Sequence, residues 1–519
     1  MNLKKVLALI VVVLMCSVLL TACDGGGIAE PEDKNGEVVF NLGRTWEEKS
    51  WDPASFTQLY DIFLAHMVYE SLAKLNVDGT VEPELAESWD ISDDGLTYTF
   101  NLRKGVKWHH DYGEFTSEDV KFTLERHADP EVGSINAENI HLDNIASIDT
   151  PDEHTVEITL KQIDVDFLTR LALYHGNMVC KAAYDDKGLD EMKLFPVGTG
   201  PYRYDQGTPG TKTEVVRFED YWGEVTGNID RVTATIISDE NTLYSALESG
   251  EIHLYQCFDK DKTVEFKEKG FTVNKVPFNQ VLYIGMNMQH EPFTDPLVRE
   301  ALFCAIDPEV FIDDLYYGTE TTVGSYIPPN SKYAIKDHFK STYDPERAKE
   351  LLAEAGYPDG LDITLWSIND EISPPPANIT HSQLEAAGFN CEMQLIEAVV
   401  FFDMCRAGEA PLWLLYNDTP PIADFTMTRY MSASYPGNNW SGIQDDEYDS
   451  LVNKALNVET EDEKAHYFAE AQKRLMSLNV LYPVATMSWD VLTTDKLGGE
   501  FVVRGDGSFH LYNAVMETE

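Results

Sequence analysis

Residues 109–114 are the first place in this chain of 519 residues where chemistry-bearing side chains gather. The segment contains two adjacent histidines and two carboxylates, which are residue types that bind metal ions. Adjacent histidines in a strand point to opposite faces, so a shared ion would require an irregular loop. A solvated loop without metal is the other interpretation, and it is the one that we favour.

Residues 90–101 resemble half of a calcium-binding loop. The twelfth position is Asn101, where such loops carry a glutamate that binds the ion through both oxygens. A β-hairpin that turns at Asp94 and Gly95 explains the segment better, because alternating strand residues follow it. We therefore predict no metal site in this part of the chain.

Other signatures of catalysis are missing from the sequence. It contains no GxxxxGK[ST] phosphate loop, no HExxH zinc motif and no GxSxG nucleophile motif. Gly198-Thr199-Gly200 lacks the third glycine of a dinucleotide-binding turn. With 89 acidic residues, the spacing of carboxylates nominates no catalytic pair. We expect no cofactor, no catalytic residue and no enzymatic activity.

The chain is strongly acidic, with 39 lysines and arginines against 89 aspartates and glutamates, for a formal net charge of −50. Phosphate backbones repel such a chain, which argues against nucleic acid as a partner. The hydrophobic fraction of 43% and the aromatic fraction of 11% indicate a folded protein rather than a disordered one. The length suits two to four domains or one large lobed unit.

Residues 1–22 have the pattern of a secretory signal peptide. Two lysines precede an apolar run over residues 6–20, which is shorter than the roughly 20 residues that span a bilayer. Leu20-Thr21-Ala22-Cys23 resembles a bacterial lipobox, which implies a diacylglycerol anchor on the Cys23 thiol, with ordinary secretion as the alternative. Residues 23–35 are expected to be a flexible tether, so that the mature chain lies outside the cytoplasm on a lipid anchor.

The cysteines form no metal or redox motif, because none stands in a CxxC pair. Cys16 lies in the signal peptide and Cys23 is the expected lipid site. The odd number that remains leaves at least one free thiol unless two chains pair, and most are expected to be small buried hydrophobes. The remaining cysteines are Cys180, Cys257, Cys304, Cys391 and Cys405.

Strand and helix patterns alternate along the body of the chain. Alternating apolar residues predict half-buried strands at Thr97–Leu102 and at residues 154–160. Helices are predicted to begin at Asp295-Pro296 and at Asp344-Pro345, each followed by a stripe of apolar residues. Thr116-Ser117-Glu118-Asp119 resembles a capping box, which predicts a further helix start. No period of 20–50 residues recurs, which excludes a solenoid.

A series of short motifs follows in a fixed order over nearly all of the mature chain. The motifs are Trp51-Asp52-Pro53, Glu70-Ser71-Leu72, residues 84–89, 96–108 and 115–120, Gly198-Thr199-Gly200-Pro201-Tyr202, Asn287, Pro292-Phe293-Thr294-Asp295, residues 298–302 and 343–352, and Asp449-Ser450-Leu451. Together they resemble the bacterial extracellular solute-binding proteins (family 5) of oligopeptide and dipeptide ABC importers. The series as a whole is highly specific.

The resemblance implies a periplasmic-binding-protein-like clamp of type II, an α/β fold of two lobes with a subdomain inserted in the first. Carried over from the family, lobe I comprises residues 36–72, 181–283 and 490–519, the inserted subdomain 73–180, and lobe II 284–489. A ligand would fill the cleft and favour closure by touching both lobes.

The function that the resemblance implies is capture of di- or oligopeptides and their delivery to the membrane subunits of an ABC permease. The implied partners are thus a peptide or other small solute and that permease, with the protein acting as a monomer. Relatives of the same fold bind nickel complexes, oligosaccharides or other small molecules, so a non-peptide ligand stays open. A secreted hydrolase on a similar clamp is the alternative from another class, and the missing nucleophile and metal motifs count against it.

Asp418 is the expected partner of the ligand's α-ammonium group. In peptide-binding members this aspartate lies seven residues before an aromatic residue, and Asp418 precedes Phe425 by seven. It follows Tyr416, also expected to contact ligand, in an apolar strand that ends in a polar turn at a cleft edge. Asp424 is the competing aspartate, and a helix cap or a turn is the plainer interpretation of Asp418.

Three further residues are expected in the cleft. Tyr60 and Asp61 correspond to the first-lobe segment that contacts the peptide backbone in the family, although Tyr60 could pack within its own lobe. Trp440 lies in a turn-rich stretch, where a large aromatic side chain is less easily explained as core. Several relatives have a basic residue six positions before the aspartate, but that position here is Leu412, which puts a contact with the ligand's carboxylate in doubt.

Overall fold

The computed structural model describes residues 36–56, 63–370, 372–418, 422–504 and 508–517, with the backbone alone for 277–279, 417–418 and 502–503. Strands and helices alternate along this part of the chain. The strands are β1 Val39–Arg44, β2 Ala73–Leu75, β3 Val81–Pro83, β4 Ala86–Ile91, β5 Thr97–Leu102, β6 Ile145–Asp152, β7 Thr155–Leu160, β8 Tyr202–Thr208, β9 Lys212–Arg217, β10 Arg231–Ile236, β11 Leu254–Cys257, β12 Thr272–Met286, β13 Leu361–Ile368, β14 Phe389–Ile396, β15 Leu412–Asp418, β16 Leu481–Thr493, β17 Leu497–Gly499, β18 Val502–Val503, β19 Phe509–His510 and β20 Ala514–Met516.

The α-helices are α1 Ala65–Val68, α2 Ser117–Arg126, α3 Ala137–Ile140, α4 Phe167–Leu171, α5 Lys181–Lys187, α6 Leu189–Met192, α7 Glu240–Ser249, α8 Lys260–Glu268, α9 Pro296–Ala305, α10 Pro308–Val310, α11 Pro345–Glu354, α12 Pro374–Ala386, α13 Ala398–Ala407, α14 Asp424–Arg429, α15 Asp446–Ala455 and α16 Glu461–Ser477. Short 3-10 turns lie at Pro53–Ser55, His109–Asp111, Leu142–Asn144, Tyr174–Gly176 and Ser432–Ser434, and one turn of π-helix at Phe311–Leu315.

Ten of the described strands form one continuous sheet, in the order β14-β13-β15-β12-β16-β11-β1-β10-β9-β8. Two long strands lie at its centre, because β12 pairs with β16 on both sides of a register irregularity between Val276 and Gln280. The last part of β12 pairs with β15, and the last part of β16 pairs with β11. These two strands therefore cross from one lobe to the other, and the sheet extends through both lobes.

The parallel strands of the two lobes point toward each other. β1 is parallel to β10 and β11, and β11 runs antiparallel to β16, so β1 has the direction of β12 toward the second lobe. β15 is antiparallel to β12 and parallel to β13, so it has the direction toward the first lobe. The carboxyl ends of both sets thus meet at the lobe boundary, where open α/β sheets bind ligands.

A separate sheet of four antiparallel strands, β4-β5-β7-β6, forms the inserted subdomain. In β5, Tyr98, Phe100 and Leu102 are buried while the residues between them are half-buried, as the period of two predicts. Helix α2 packs against β6 and β7 and covers the inner face of this sheet.

Two large hydrophobic cores divide the structure, and each contains one part of both crossing strands. One consists of buried residues between Val281 and Ala485. The other draws on the chain up to Val276 and from Trp489 onward. The cores therefore divide the chain within β12 and within β16.

Local elements form where the sequence patterns predict them. Strands form at Thr97–Leu102 and Thr155–Leu160, and the helices Pro296–Ala305 and Pro345–Glu354 each begin after an aspartate that accepts a backbone hydrogen bond. The N–H of Thr116 donates to the carboxylate three residues later, as in the predicted capping box. The five cysteines in the described part of the chain are buried and free. None of the described helices is long and apolar enough to cross a membrane.

Candidate functional site

Asp418 is the last residue of β15, and the sheet places its backbone at the boundary between the lobes. It pairs with Gln280, the first residue of β12 to pair again after the irregularity that follows Val276. The end of β15 therefore reaches the point where the chain crosses between lobes. The side chain of Asp418 lies outside the described part of the structure.

Tyr416 lies two positions before Asp418 in β15. The Tyr416 side chain is half-buried, and its hydroxyl oxygen lies 2.8 Å from the hydroxyl oxygen of Tyr316. Burial raises the pKa of Tyr416 above its ordinary value, so the hydroxyl stays neutral. A neutral hydroxyl can both donate and accept hydrogen bonds at this edge.

Trp440 packs against the opposite face of the same strand. Its ring centroid is 6.4 Å from that of Trp413 and 5.9 Å from that of Phe402, and its indole N–H donates to the carbonyl of Gly437 at 2.9 Å. Trp413 lies three positions before Tyr416, so their side chains point to opposite faces of β15. The structure therefore does not bring Tyr416 and Trp440 onto one face.

Arg429 adds a cation beside Trp440, and sequence reasoning missed it. The central guanidinium carbon of Arg429 lies 5.8 Å from the centroid of the Trp440 ring and 4.9 Å from that of Phe425. These distances are typical of cation–π contacts. The spacing of Phe425 and Arg429, four residues apart in α14, is the signal that could have identified their contact.

Asp424, the competing aspartate, is buried in ion pairs. Its two carboxylate oxygens lie 2.8 and 2.9 Å from the ammonium nitrogen of Lys464, and one of them also accepts a hydrogen bond from the Arg170 guanidinium. The side chain is 8% exposed. The protein itself already compensates this charge, which argues against Asp424 as the partner of a ligand ammonium.

Leu412, which stands where several relatives carry a basic residue, is fully buried in β15 opposite Met286. It belongs to the core of lobe II and offers no charge to a ligand carboxylate. Tyr60 and Asp61 lie outside the described residues, as do Cys23 and the rest of the predicted signal peptide and tether.

The expectation of a solvated loop at residues 109–114 is wrong for His109, which is fully buried. Its Nδ1 accepts the N–H of Gly198 at 3.3 Å, and its Nε2 lies 2.9 Å from the carbonyl oxygen of Gly200. Burial lowers the pKa of His109 to about 3, so the ring is neutral and Nε2 is the donor. His109 thus fixes a glycine-rich turn, and the described residues contain no cluster suited to a metal ion.

Among curated relatives, the glutathione-binding protein GsiB of Salmonella choleraesuis is 30% identical over 451 residues, which cover 84% of this chain and 86% of that protein. Di/tripeptide-binding protein 1 of Pseudomonas aeruginosa is 30% identical over 473 residues, with the same coverage of both chains.

Solved structures of similar proteins cover more than nine-tenths of this chain. The periplasmic binding protein DppA of Helicobacter pylori, in complex with the peptide STSA, is 26% identical with a TM-score of 0.76 and covers 92% of this chain and 98% of its own. MoaA of A. tumefacien R10, in complex with mannopinic acid, is 25% identical with a TM-score of 0.78 and covers 93% and 100%.

A sequence model of one protein family matches residues 80–439, which is more than half of the chain. The match includes most of the inserted subdomain and all of β15. The two crossing strands and the facing carboxyl ends of β1 and β15 give the two-lobed architecture of the type II periplasmic binding proteins. This chain belongs to the bacterial extracellular solute-binding proteins, family 5.

Proposed function

We propose that this protein captures di- or oligopeptides in the interlobe cleft and delivers them to the membrane subunits of an ABC permease. One observation carries the proposal: relatives named for glutathione, itself a tripeptide, and for di- and tripeptides align over 84% of the chain. The solved relative DppA, at 26% identity, holds a peptide of four residues.

Asp418 would bind the α-ammonium group of the peptide. An ammonium that enters a cleft loses water and requires a compensating acceptor. A carboxylate at the end of β15 would provide it through a charge-assisted hydrogen bond, worth roughly 1.5–3 kcal/mol. The position of the Asp418 backbone, at the lobe boundary and at the carboxyl end of a strand, supports this role.

The other expected ligand contacts surround the same strand end. Tyr416 lies two positions before Asp418 in β15 and would contribute a neutral hydroxyl. Tyr60 and Asp61 remain the ligand contacts that are predicted from lobe I. Trp440 lies on the other face of β15, so it would contact a ligand that extends around the end of the strand.

Membership in an extracellular family implies a location outside the cytoplasm. The lipid anchor on Cys23 is part of the proposal, and it rests on the signal-like residues 1–22 and on the lipobox pattern that ends them. Such an anchor would hold the protein at the membrane beside its permease.

A non-peptide solute is the second candidate, and one observation favours it. The solved relative at 25% identity, which covers 93% of this chain, holds mannopinic acid. The family fold thus accommodates an opine as well as peptides, so mannopinic acid is the natural competitor to test.

Calorimetric titration separates the two candidates. We expect glutathione or tri-alanine to bind and to be recovered intact, and Asp418→Asn to weaken that binding about 10- to 150-fold, the equivalent of the lost hydrogen bond. Asp190→Asn, whose side chain is fully exposed on lobe I, should bind like the wild type. Equal affinity of the Asp418→Asn and wild-type proteins for these peptides would reject the assigned role, and binding of mannopinic acid alone would establish the second candidate.

A further inference from the structure

The inserted subdomain and lobe II meet at a buried ionic cluster that includes none of the predicted ligand contacts. Asp166, just before α4 in the subdomain, has a fully buried side chain. Its carboxylate lies 2.8 Å from Lys332 Nζ and 2.7 Å from Lys464 Nζ, and it accepts a hydrogen bond from the Tyr333 hydroxyl at 2.9 Å. All three partners belong to lobe II.

Two further carboxylates, Asp164 and Asp424, extend the cluster across the boundary between the subdomain and lobe II. Arg170 of the subdomain donates to Asp164 at 2.8 Å on its own side and to Asp424 on the side of lobe II. Asp424 is held in turn by Lys464, which is 4% exposed and therefore touches one carboxylate from each side. His141 Nδ1 closes the cluster, 2.9 Å from Asp164.

The ionisation of Asp166 in the subdomain depends on the charges of lobe II. Although burial disfavours the charged form, the ammonium groups of Lys464 and Lys332 hold the pKa of Asp166 below its ordinary value. Separation of the subdomain from lobe II would remove Lys332, Lys464 and the Tyr333 hydroxyl from Asp166. It would also leave Lys464 with only one of its two carboxylates.

An apolar contact accompanies the ions. Ile422 of lobe II is 3% exposed and packs into a pocket of the subdomain. The pocket consists of Ala73, Leu75, Ala172 and Leu173. Ile422 also bridges to Lys332 through the backbone, so the apolar contact and the ionic cluster form one interface.

This interface is built without residues of the crossing strands. Its residues lie on β2, α4, α14, α16 and in loops, and none lies on β12 or β16. A hinge rotation of the lobes about these strands could therefore open the interface without breaking the pairing of β12 with β16. The segment that carries Ile422 and Asp424 follows the ligand-facing end of β15, because they lie four and six residues after Asp418.

We propose that Asp166, Lys464 and Ile422 form a latch that holds the inserted subdomain to lobe II without help from the ligand. The latch populates the closed arrangement in advance, and these residues thereby determine affinity from outside the cleft. Because apparent affinity scales with the fraction of the binding-competent state, loss of the latch would weaken every ligand by the same factor.

Small-angle X-ray scattering of the purified, ligand-free protein tests the latch directly. We expect Asp166→Asn and Lys464→Met to increase the radius of gyration relative to the wild type. Lys269→Met is the matched control, because Lys269 pairs with Glu248 on the exposed surface of lobe I. Scattering curves of both latch variants that superimpose on the wild-type curve would overturn the proposal.

Ile422→Ala keeps the test decisive if the charge variants fail to fold, since it buries no unpaired charge. The same increase in radius of gyration is expected, and its absence in a folded Ile422→Ala protein would equally overturn the latch. Circular dichroism spectra establish which variants are folded.

A second arm measures affinity and rests on the proposed function. Glutathione and tri-alanine should each bind Asp166→Asn about tenfold more weakly than the wild type, with equal factors. Unequal factors for the two peptides would contradict a latch outside the cleft. If neither peptide binds the wild type, the proposed function fails, while the scattering arm still decides on the latch.

Discussion

At the scale of single residues, Glu70 shows how the lobe I core uses a buried carboxyl group. Its side chain is almost fully buried, and its carboxyl oxygens lie 2.8 Å from the Thr199 hydroxyl, the Trp222 indole nitrogen and the Tyr221 hydroxyl. Burial, together with repulsion from Glu84, raises the pKa of Glu70 to about 8. Glu70 is therefore protonated in the folded protein at neutral pH.

The raised pKa predicts a pH-dependent stability that Glu70→Gln should remove. In the unfolded chain Glu70 loses its proton near pH 4.5, whereas in the folded protein it keeps it until about pH 8. The unfolded state thus binds fewer protons in this window, so stability should fall by roughly 2–4 kcal/mol as pH rises from 5 to 8. Glutamine can imitate the neutral acid, with its amide oxygen toward Trp222 and its NH2 toward Tyr221.

Urea unfolding of both proteins at several pH values between 5 and 8 measures this difference. The Glu70→Gln protein should lose less stability across the window than the wild type. Parallel curves for the two proteins would show that Glu70 is not the group responsible.

At the scale of elements, a buried lysine ties the crossing strand β16 to lobe I and to a loop of lobe II. Lys260, at the start of α8, lies 2.7 Å from the carboxylate of Asp490 in β16 and 3.0 Å from that of Glu320, and it donates to the carbonyl of Ser488 at 2.8 Å. All of these charged side chains are at most 3% exposed. The cluster joins lobe I, a loop of lobe II and the crossing strand at one point.

Lys260→Met should destabilise the fold strongly, because it removes the cation beside the buried carboxylate of Asp490 and leaves Glu320 with only the 3.5 Å contact to Lys275. Removal of one partner from a buried ion pair costs about 3–5 kcal/mol. Lys473→Met, which removes an exposed pair with Glu470 on α16, should cost less than about 1 kcal/mol. Chemical denaturation provides both values, and equal stability of the two variants would contradict the role given to the Lys260 cluster.

At the scale of the whole molecule, the sequence predicts local elements better than their assembly. The alternation in β5 and the N-cap at Asp295 are local, because a strand period and a helix start each involve only a few neighbouring residues. The pairing of Gln280 with Asp418 joins positions far apart in the chain, and no local period encodes it. The two-lobed fold could be predicted only from the ordered series of family motifs.

The site divides in the same way. Asp418 and Tyr416 could be proposed from the resemblance and from the apolar strand that carries them, and their contact with a ligand stays a prediction. The ionic partners of Asp424 could not, because Arg170 lies 254 residues away in sequence and Lys464 lies 40 away. In a chain with 89 acidic residues, composition gives no sign of which carboxylates are buried in pairs.

The central claim is that the cleft binds short peptides through their free α-ammonium group. Calorimetric titration of the wild-type protein with tri-alanine and with N-acetyl-tri-alanine tests it most directly, because acetylation removes only that charge. We predict measurable binding of tri-alanine and at least about tenfold weaker binding of the acetylated peptide, as expected for loss of a charge-assisted hydrogen bond. Equal affinity for the two peptides would contradict the claim.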